Sequence, residues 1–225
     1  MSRELPSRLS ALQVRVLEAL TSMQPTWTLT GGGALALHPL QHRKTHGLDL
    51  HWQGERELGP IPREVEALLA RDGLRAELLT RGAAFVRMRV SDLDQDLIVD
   101  LVADPVPTLE QPTEVACGER SIRVDSAHEI LVNKLAALLS RSETRDLVDV
   151  RALLLRGGDL ERALVDAPSK DGGFSTLALC EVLRSLPLES SELDPDLLSG
   201  LEEYREELLD RLTRGSAPDT SEQGV

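Results

Sequence analysis

Aromatic side chains are nearly missing from this chain: two Trp, two Phe and one Tyr among 225 residues. Its core must therefore be assembled mostly from Leu, Val and Ala. Cysteine is as scarce, at Cys117 and Cys180, and neither has metal-binding spacing, so both read as buried or idle thiols in a reducing cytoplasm. The histidines His42, His46, His51 and His128 lack a spacing such as H-E-x-x-H, which argues against zinc. No apolar run approaches the ~20 residues of a membrane-spanning helix. MSRELPSRLS at the N-terminus has no apolar segment of a secretory signal, so a cytoplasmic protein without membrane partners is expected. Positive charge is also lacking: the formal net charge of −13 argues against a generic nucleic-acid-binding surface. The deficit is uneven, because residues 186–225 hold eleven Asp/Glu against three Arg and account for −8 of it. A local basic patch remains open elsewhere. Only Lys44, Lys134 and Lys170 of the 25 basic residues are lysines, which makes each worth inspecting.

What is present is enough for a real core: 41% hydrophobic residues, suited to one domain with a helical extension or to two small ones. Residues 7–22 read as an amphipathic helix with Leu9, Leu12, Val16 and Leu20 on one stripe. A short strand at Trp27–Leu29 runs into three glycines, and residues 33–40 look helical up to the His38-Pro39 pair. Leu48–Trp52 alternates as a strand, residues 62–72 form a helix opened by Pro62, and Ala84–Val90 and Asp96–Val102 are strands. Val115–Val124 reads as a hairpin turning at Cys117-Gly118. From Ser126 the pattern is helical to about Arg214, and residues 215–225 read as a disordered tail. Strands alternating with helices and then helices alone imply an α+β fold with an α/β-like core, over residues 1–125 and 126–214.

Several residues are odd enough to suggest chemistry. Gly31, Gly32 and Gly33 follow a strand and open a helix, where backbone N–H groups can approach a phosphate; the same run also reads as a plain tight turn. Asp49 and Asp100 lie midway along otherwise apolar strands, which is costly unless they are paired, solvated or metal-bound. If those strands are neighbours the two carboxylates face each other and suit Mg²⁺; otherwise they sit at solvated strand ends. Ser126-Ala127-His128-Glu129 fits a capping box, and Lys134 falls inside the apolar stripe of Ala127, Leu131, Leu135 and Leu138. A lysine there either snorkels past its neighbours or meets an anion. Asp146 and Asp149 sit one turn apart, either as a solvated pair or, near a phosphoryl acceptor, with one of them as a general base. His42, Arg43 and Lys44 form a basic cluster that meets a triphosphate or nucleic acid, or else is an ordinary solvated turn. There is no G-x-S-x-G and no P-loop signature.

Two blocks, LTGGGALALHPLQHRKTHGLDLHW at 29–52 and HEILVNKLAALLSRSETRDLVDVRALL at 128–154, with LIVDLVAD between them, resemble the AbiEii/AbiGii-type nucleotidyltransferase toxins. These are a branch of the superfamily related to DNA polymerase β, and the likeness covers roughly residues 10–165. It implies a mixed sheet flanked by helices and followed by a helical half. It further implies an NTP substrate, Mg²⁺ or Mn²⁺, an RNA (tRNA in some relatives) or protein acceptor, and a cognate antitoxin. The glycine turn of Gly31, Gly32 and Gly33 would hold the triphosphate, and Arg43 of the basic cluster is the candidate to join it. Asp49 matches the second aspartate of a D-x-D metal motif and Asp100 the third carboxylate. Lys134 matches the phosphate-contacting lysine and Asp149 a catalytic aspartate.

Gly47 stands where the first D-x-D aspartate belongs, and glycine supplies no ligand. Either water or His46 fills in, or Asp96 helps, or the protein binds nucleotide poorly and catalyses little. Asp96 lies four residues from Asp100, ~13 Å along an extended strand, too far for one metal site without a bend. The competing readings are thus an active transferase, a decayed member kept as a nucleotide- or partner-binding module, and a regulatory protein using the acidic helix within 189–210.

Overall fold

The computed structural model describes residues 9–38, 43–117, 119–191 and 193–215. His42, the turn at Gly118 and the expected tail from 216 onward lie outside them. The chain divides into two compact units, with the boundary between Ile130 and Leu131. No helix among the described residues is long and apolar enough to cross a membrane.

The first unit is built on α1 (Ala11–Leu20), β1 (Thr28–Thr30), α2 (Gly31–Leu37), β2 (Gly47–Gln53), α3 (Ile61–Arg71), β3 (Arg75–Arg81), β4 (Phe85–Ser91), β5 (Asp96–Asp104), β6 (Thr113–Cys117) and β7 (Arg120–Val124). The strands form one mixed sheet in the order β3-β4-β5-β2-β1-β7-β6. β2 runs parallel to β5 and β1 parallel to β7, while the other neighbours are antiparallel. Alternation along β2, β4 and β5 sends Leu48, Leu50, Trp52, Val86, Met88, Val90, Val99 and Leu101 into the core. The other face of these three strands is polar and partly open, and it carries Asp49, Asp100 and Arg87.

Helix α1 starts at Ser10, whose side chain and Gln13 form a reciprocal capping box, and it buries Leu12, Val16, Leu17 and Leu20. Helix α3 begins one residue earlier than expected, at Ile61, with proline in its first turn. β3 lies outside the expected strands: RAELLTR has no apolar alternation and is exposed along nearly its whole length, at one edge of the sheet. Its order comes from pairing with β4, not from its own pattern.

The boundary between the units falls inside α4 (Ala127–Arg141), whose Ser126 hydroxyl accepts the Glu129 N–H at 3.0 Å. The second unit continues through α5 (Thr144–Leu155), α6 (Leu160–Asp166), α7 (Thr176–Ser185), α8 (Pro195–Leu198) and α9 (Leu201–Gly215). Leu131, Leu135, Leu138, Leu147, Val150, Leu153, Leu179 and Leu183 are buried in it. The acidic α9 buries Leu201, Leu208 and Leu212 and leaves Glu202, Glu203, Glu206 and Glu207 exposed. Both cysteines are free and buried; burial first, then the charge of Glu18, pushes the Cys117 thiol up to about 11, so it stays protonated near neutrality.

Candidate active site

The polar face of the first unit carries one row of side chains across four strands. Thr30 on β1 is the register partner of Asp49 on β2, Asp49 of Asp100 on β5, and Asp100 of Arg87 on β4. Strands lie about 4.8 Å apart, so this register sets the two carboxylates side by side, where like charges require a shared cation or a donor for each. Asp100 has such a donor: Arg87 gives it two parallel hydrogen bonds, Nε to Oδ1 at 2.8 Å and Nη2 to Oδ2 at 2.7 Å. That fork geometry is the strongest form of carboxylate pairing. The Asp100 side chain is 13% exposed and the Arg87 side chain 48%.

Asp49 is half-buried and lies against the glycine turn. A Cβ placed on Gly31 would meet Asp49 Oδ2 at 2.5 Å, and Gly31 has φ +59°. Glycine is required here twice over, by the left-handed backbone and by the carboxylate pressed against it. The Cβ direction at Gly32 leads to Thr45 Oγ1 at 2.8 Å and Arg43 Nη2 at 3.3 Å, so the basic loop closes over the same turn. That direction at Gly33 leads instead to Leu29 and Leu48 in the core. Thr30 caps the seven-residue α2 without a side-chain hydrogen bond.

Gly47 faces Ile98 across β2 and β5, and a Cβ added to it would stand 3.0 Å from the Ile98 carbonyl oxygen. Beside this end of β2 is a cavity of about 450 Å³ lined by Ser10, Gln13, Thr45, His46, Gln95, Asp96, Leu97 and Ile98. His46 and Asp96, the two residues weighed as replacements for the missing aspartate, thus line one cavity. Further along the polar face, His51 Nδ1 is 3.1 Å from Asp104 Oδ2.

The second unit holds its own cluster. Lys134, only 5% exposed, is 2.7 Å through Nζ from Asp146 Oδ1 and 2.7 Å from Asp149 Oδ2. Both aspartates are fully buried, and Arg141 binds Asp146 with Nε to Oδ2 and Nη2 to Oδ1, each at 2.7 Å. Burial would raise the Asp146 carboxyl, but the hydrogen bonds from Arg141 and the charges of Lys134 and Arg141 outweigh it and hold the group below the usual carboxylate range. In the structure the lysine in the apolar stripe meets anions, and these are Asp146 and Asp149. The pair on α5 is buried, not solvated.

Arg87 is the residue that sequence reasoning passed over. Its only signal was an arginine alternating with Val86 and Met88 on a strand; its carboxylate partner depends on a cross-strand register that the sequence does not print.

Among the described residues no group of three or more His, Cys, Asp or Glu is placed to hold a metal. Two adjacent carboxylates nonetheless fit one Mg²⁺, an ion that commonly takes one or two carboxylates and completes its shell with phosphate oxygens and water. They do not provide for a pair of ions bracketed by three carboxylates.

The family described as nucleotidyl transferase AbiEii toxin, type IV TA system, matches residues 15–222. Among solved structures, MenT4, a nucleotidyltransferase toxin from Mycobacterium tuberculosis H37Rv, is similar at 17% identity and TM-score 0.62, over 90% of this chain and 84% of that one. JHP933 from Helicobacter pylori is similar at 18% identity and TM-score 0.52, over 91% and 92% of the two chains. An antigenic nucleotidyltransferase-like protein from Paracoccidioides brasiliensis shares 16% identity at TM-score 0.50, over 86% and 94%. At these identities the likeness shows the fold, a nucleotidyltransferase-type α+β architecture. No curated protein matches the chain in sequence.

Proposed function

Since the chain belongs to the AbiEii nucleotidyl transferase toxin family, of the toxin–antitoxin type, we propose that it transfers a nucleotide from an NTP to an RNA, such as a tRNA, or to a protein. The observation that supports this reading is the lateral pairing of Asp49 with Asp100 against the Gly31 turn. Phosphoryl transfer asks a protein mainly for positioning and charge stabilisation, and this corner offers both. The acceptor hydroxyl oxygen bonds to the α-phosphorus, the bond from that phosphorus to the pyrophosphate oxygen breaks, and the hydroxyl proton leaves to a base. The backbone of Gly31, Gly32 and Gly33, with Arg43, holds the triphosphate in place. Asp49 and Asp100 are the residues that would hold Mg²⁺ or Mn²⁺, which supplies charge neutralisation on the phosphates when bound. Lys134 as a phosphate contact and Asp149 as a catalytic residue rest on the family resemblance. In the family setting an antitoxin restrains the activity, and the reaction belongs in the cytoplasm.

The test is transfer of each labelled NTP in turn, with Mg²⁺, to total RNA and to the protein itself. The parent is expected to label an acceptor. Asp49→Asn, nearly isosteric, should lose about a hundredfold or more at unchanged unfolding midpoint, the scale expected for removing preorganised charge. Lys134→Ala should also be inactive, but it removes the ammonium that two buried aspartates share and must be read beside its unfolding curve.

A second reading is favoured by Gly47 and by the Arg87–Asp100 fork: a decayed transferase retained as a nucleotide- or partner-binding module. It predicts equal affinity for NTP with and without Mg²⁺, whereas the enzyme binds Mg²⁺-NTP more tightly. Silence in the parent with activity in Gly47→Asp would identify decay. Silence in all variants would favour the module.

A further inference from the structure

The missing carboxylate at Gly47 and the guanidinium on Asp100 are complementary in charge. Three carboxylates with two divalent ions leave a formal surplus of one positive charge. Asp49, Asp100 and Arg87 with one divalent ion leave the same surplus. Glycine at 47 removes a negative charge, Arg87 adds a positive one, and together they offset the loss of one divalent cation.

Resting on the nucleotidyltransferase reading above, we infer that Arg87 supplies the positive charge of a second cation, so that the site takes a single divalent ion on Asp49 and Asp100. Three features carry this. The guanidinium is fixed on Asp100 through two bonds of 2.8 and 2.7 Å in the same lateral row as Asp49. Phe85 lies beneath it, its ring centre 5.7 Å from the Arg87 Cζ, and this stacking restrains the side chain while leaving it 48% exposed. The neighbouring Arg89 on the same strand is balanced separately by Glu77 at 3.1 Å and Asp96 at 3.9 Å. Arg87 is therefore the cation of β4 that pairs with Asp100.

A fork from arginine does not exhaust Asp100. A carboxylate has about four lone-pair sites and the fork uses two, so each oxygen can still face an ion. Arg87 is a positioning and charge-supplying residue here: it orients Asp100 and, from the β4 side of that carboxylate, adds a fixed positive charge to the site. A guanidinium keeps that charge at any working pH and is far more weakly hydrated than Mg²⁺.

The experiment counts Mn²⁺ by the electron paramagnetic resonance signal of the free ion, with the full chain and an NTP whose α,β-bridge is a methylene. The parent should bind one Mn²⁺ per chain in the nucleotide complex, the ion that accompanies the nucleotide included. Arg87→Gln, at an exposed position, should fold normally and bind the Mn²⁺-nucleotide about tenfold or more weakly, as expected for loss of a charge-assisted contact. The double variant Gly47→Asp with Arg87→Gln, at an unfolding midpoint matching Arg87→Gln so that the 3.0 Å approach of its new Cβ to the Ile98 carbonyl oxygen is accommodated, should bind two Mn²⁺ and recover nucleotide affinity. Two Mn²⁺ on the parent, or nucleotide affinity unchanged within twofold in Arg87→Gln, would overturn the inference while leaving nucleotidyl transfer standing. A parent that binds neither Mn²⁺ nor nucleotide overturns the transferase reading and this inference with it.

Discussion

At the scale of single residues, the site was legible wherever a side chain contradicted its surroundings. Asp49 and Asp100 in apolar strands and Lys134 in an apolar helix face each broke a local rule, and each has a neighbour of matching charge or geometry in the structure. Residues that obey local rules gave no signal. An arginine on the open face of a strand is ordinary, so Arg87 could not be distinguished before its register with Asp100 was known. Gly31 lies between these cases, because a triple glycine reads equally well as a turn. The structure makes it testable. Gly31→Ala must accept φ +59° and displace the Asp49 carboxylate, whose oxygen stands 2.5 Å from the new Cβ. The left-handed backbone alone costs roughly 1–2 kcal/mol. A lowered unfolding midpoint together with at least tenfold weaker NTP binding by calorimetry is the expected outcome. A loss of stability with unchanged NTP affinity would mean that the glycines serve only the turn.

At the scale of elements, strands with alternation and helices with caps were readable, and the edge was not. The β2 and β5 strands printed their faces in period two, which fixes which side chains point together once the strands are paired. Nothing local in RAELLTR marks β3, because an exposed edge strand has no face to bury and takes its conformation from its partner. Pairing itself, β2 parallel to β5, is a long-range choice that periodicity alone could not supply. One helix residue ties these elements together. Gln13 caps α1 through Ser10 and also donates to the carbonyls of Thr45 at 3.2 Å and Gly47 at 3.4 Å, from a position 2% exposed. Gln13→Ala should therefore lose half of the capping box and leave two part-buried carbonyls without that donor. A drop of about 2 kcal/mol in urea unfolding is expected from a cap and a hydrogen bond lost together. A drop below about 0.5 kcal/mol would show that the loop entering β2 is held without it.

At the scale of the whole molecule, the excess of negative charge and the buried ion cluster make opposite demands on pH. A chain at −13 repels itself at neutrality, so mild acidification relieves repulsion and by itself favours the folded state. The helical unit works against this at lower pH. Asp146 has its folded pKa held below the ordinary value by Arg141 and Lys134 against the cost of burial. A depressed carboxyl contributes stability above its unfolded pKa and loses it as pH falls, because the unfolded chain takes up the proton first. That loss begins near the unfolded value of about 4 and continues down through the lower folded value. Denaturant midpoints followed by circular dichroism at 222 nm should accordingly hold or rise from neutrality toward pH 5 and then fall below about pH 4. Asp146→Asn should flatten that acid limb. At neutrality it should destabilise by roughly 3–5 kcal/mol, since it leaves Lys134 and Arg141 facing a neutral amide in a buried cluster. An acid limb equally steep in Asp146→Asn would assign the pH dependence to the other carboxylates of the chain. The ion cluster would then be a fixture of packing with no part in acid lability.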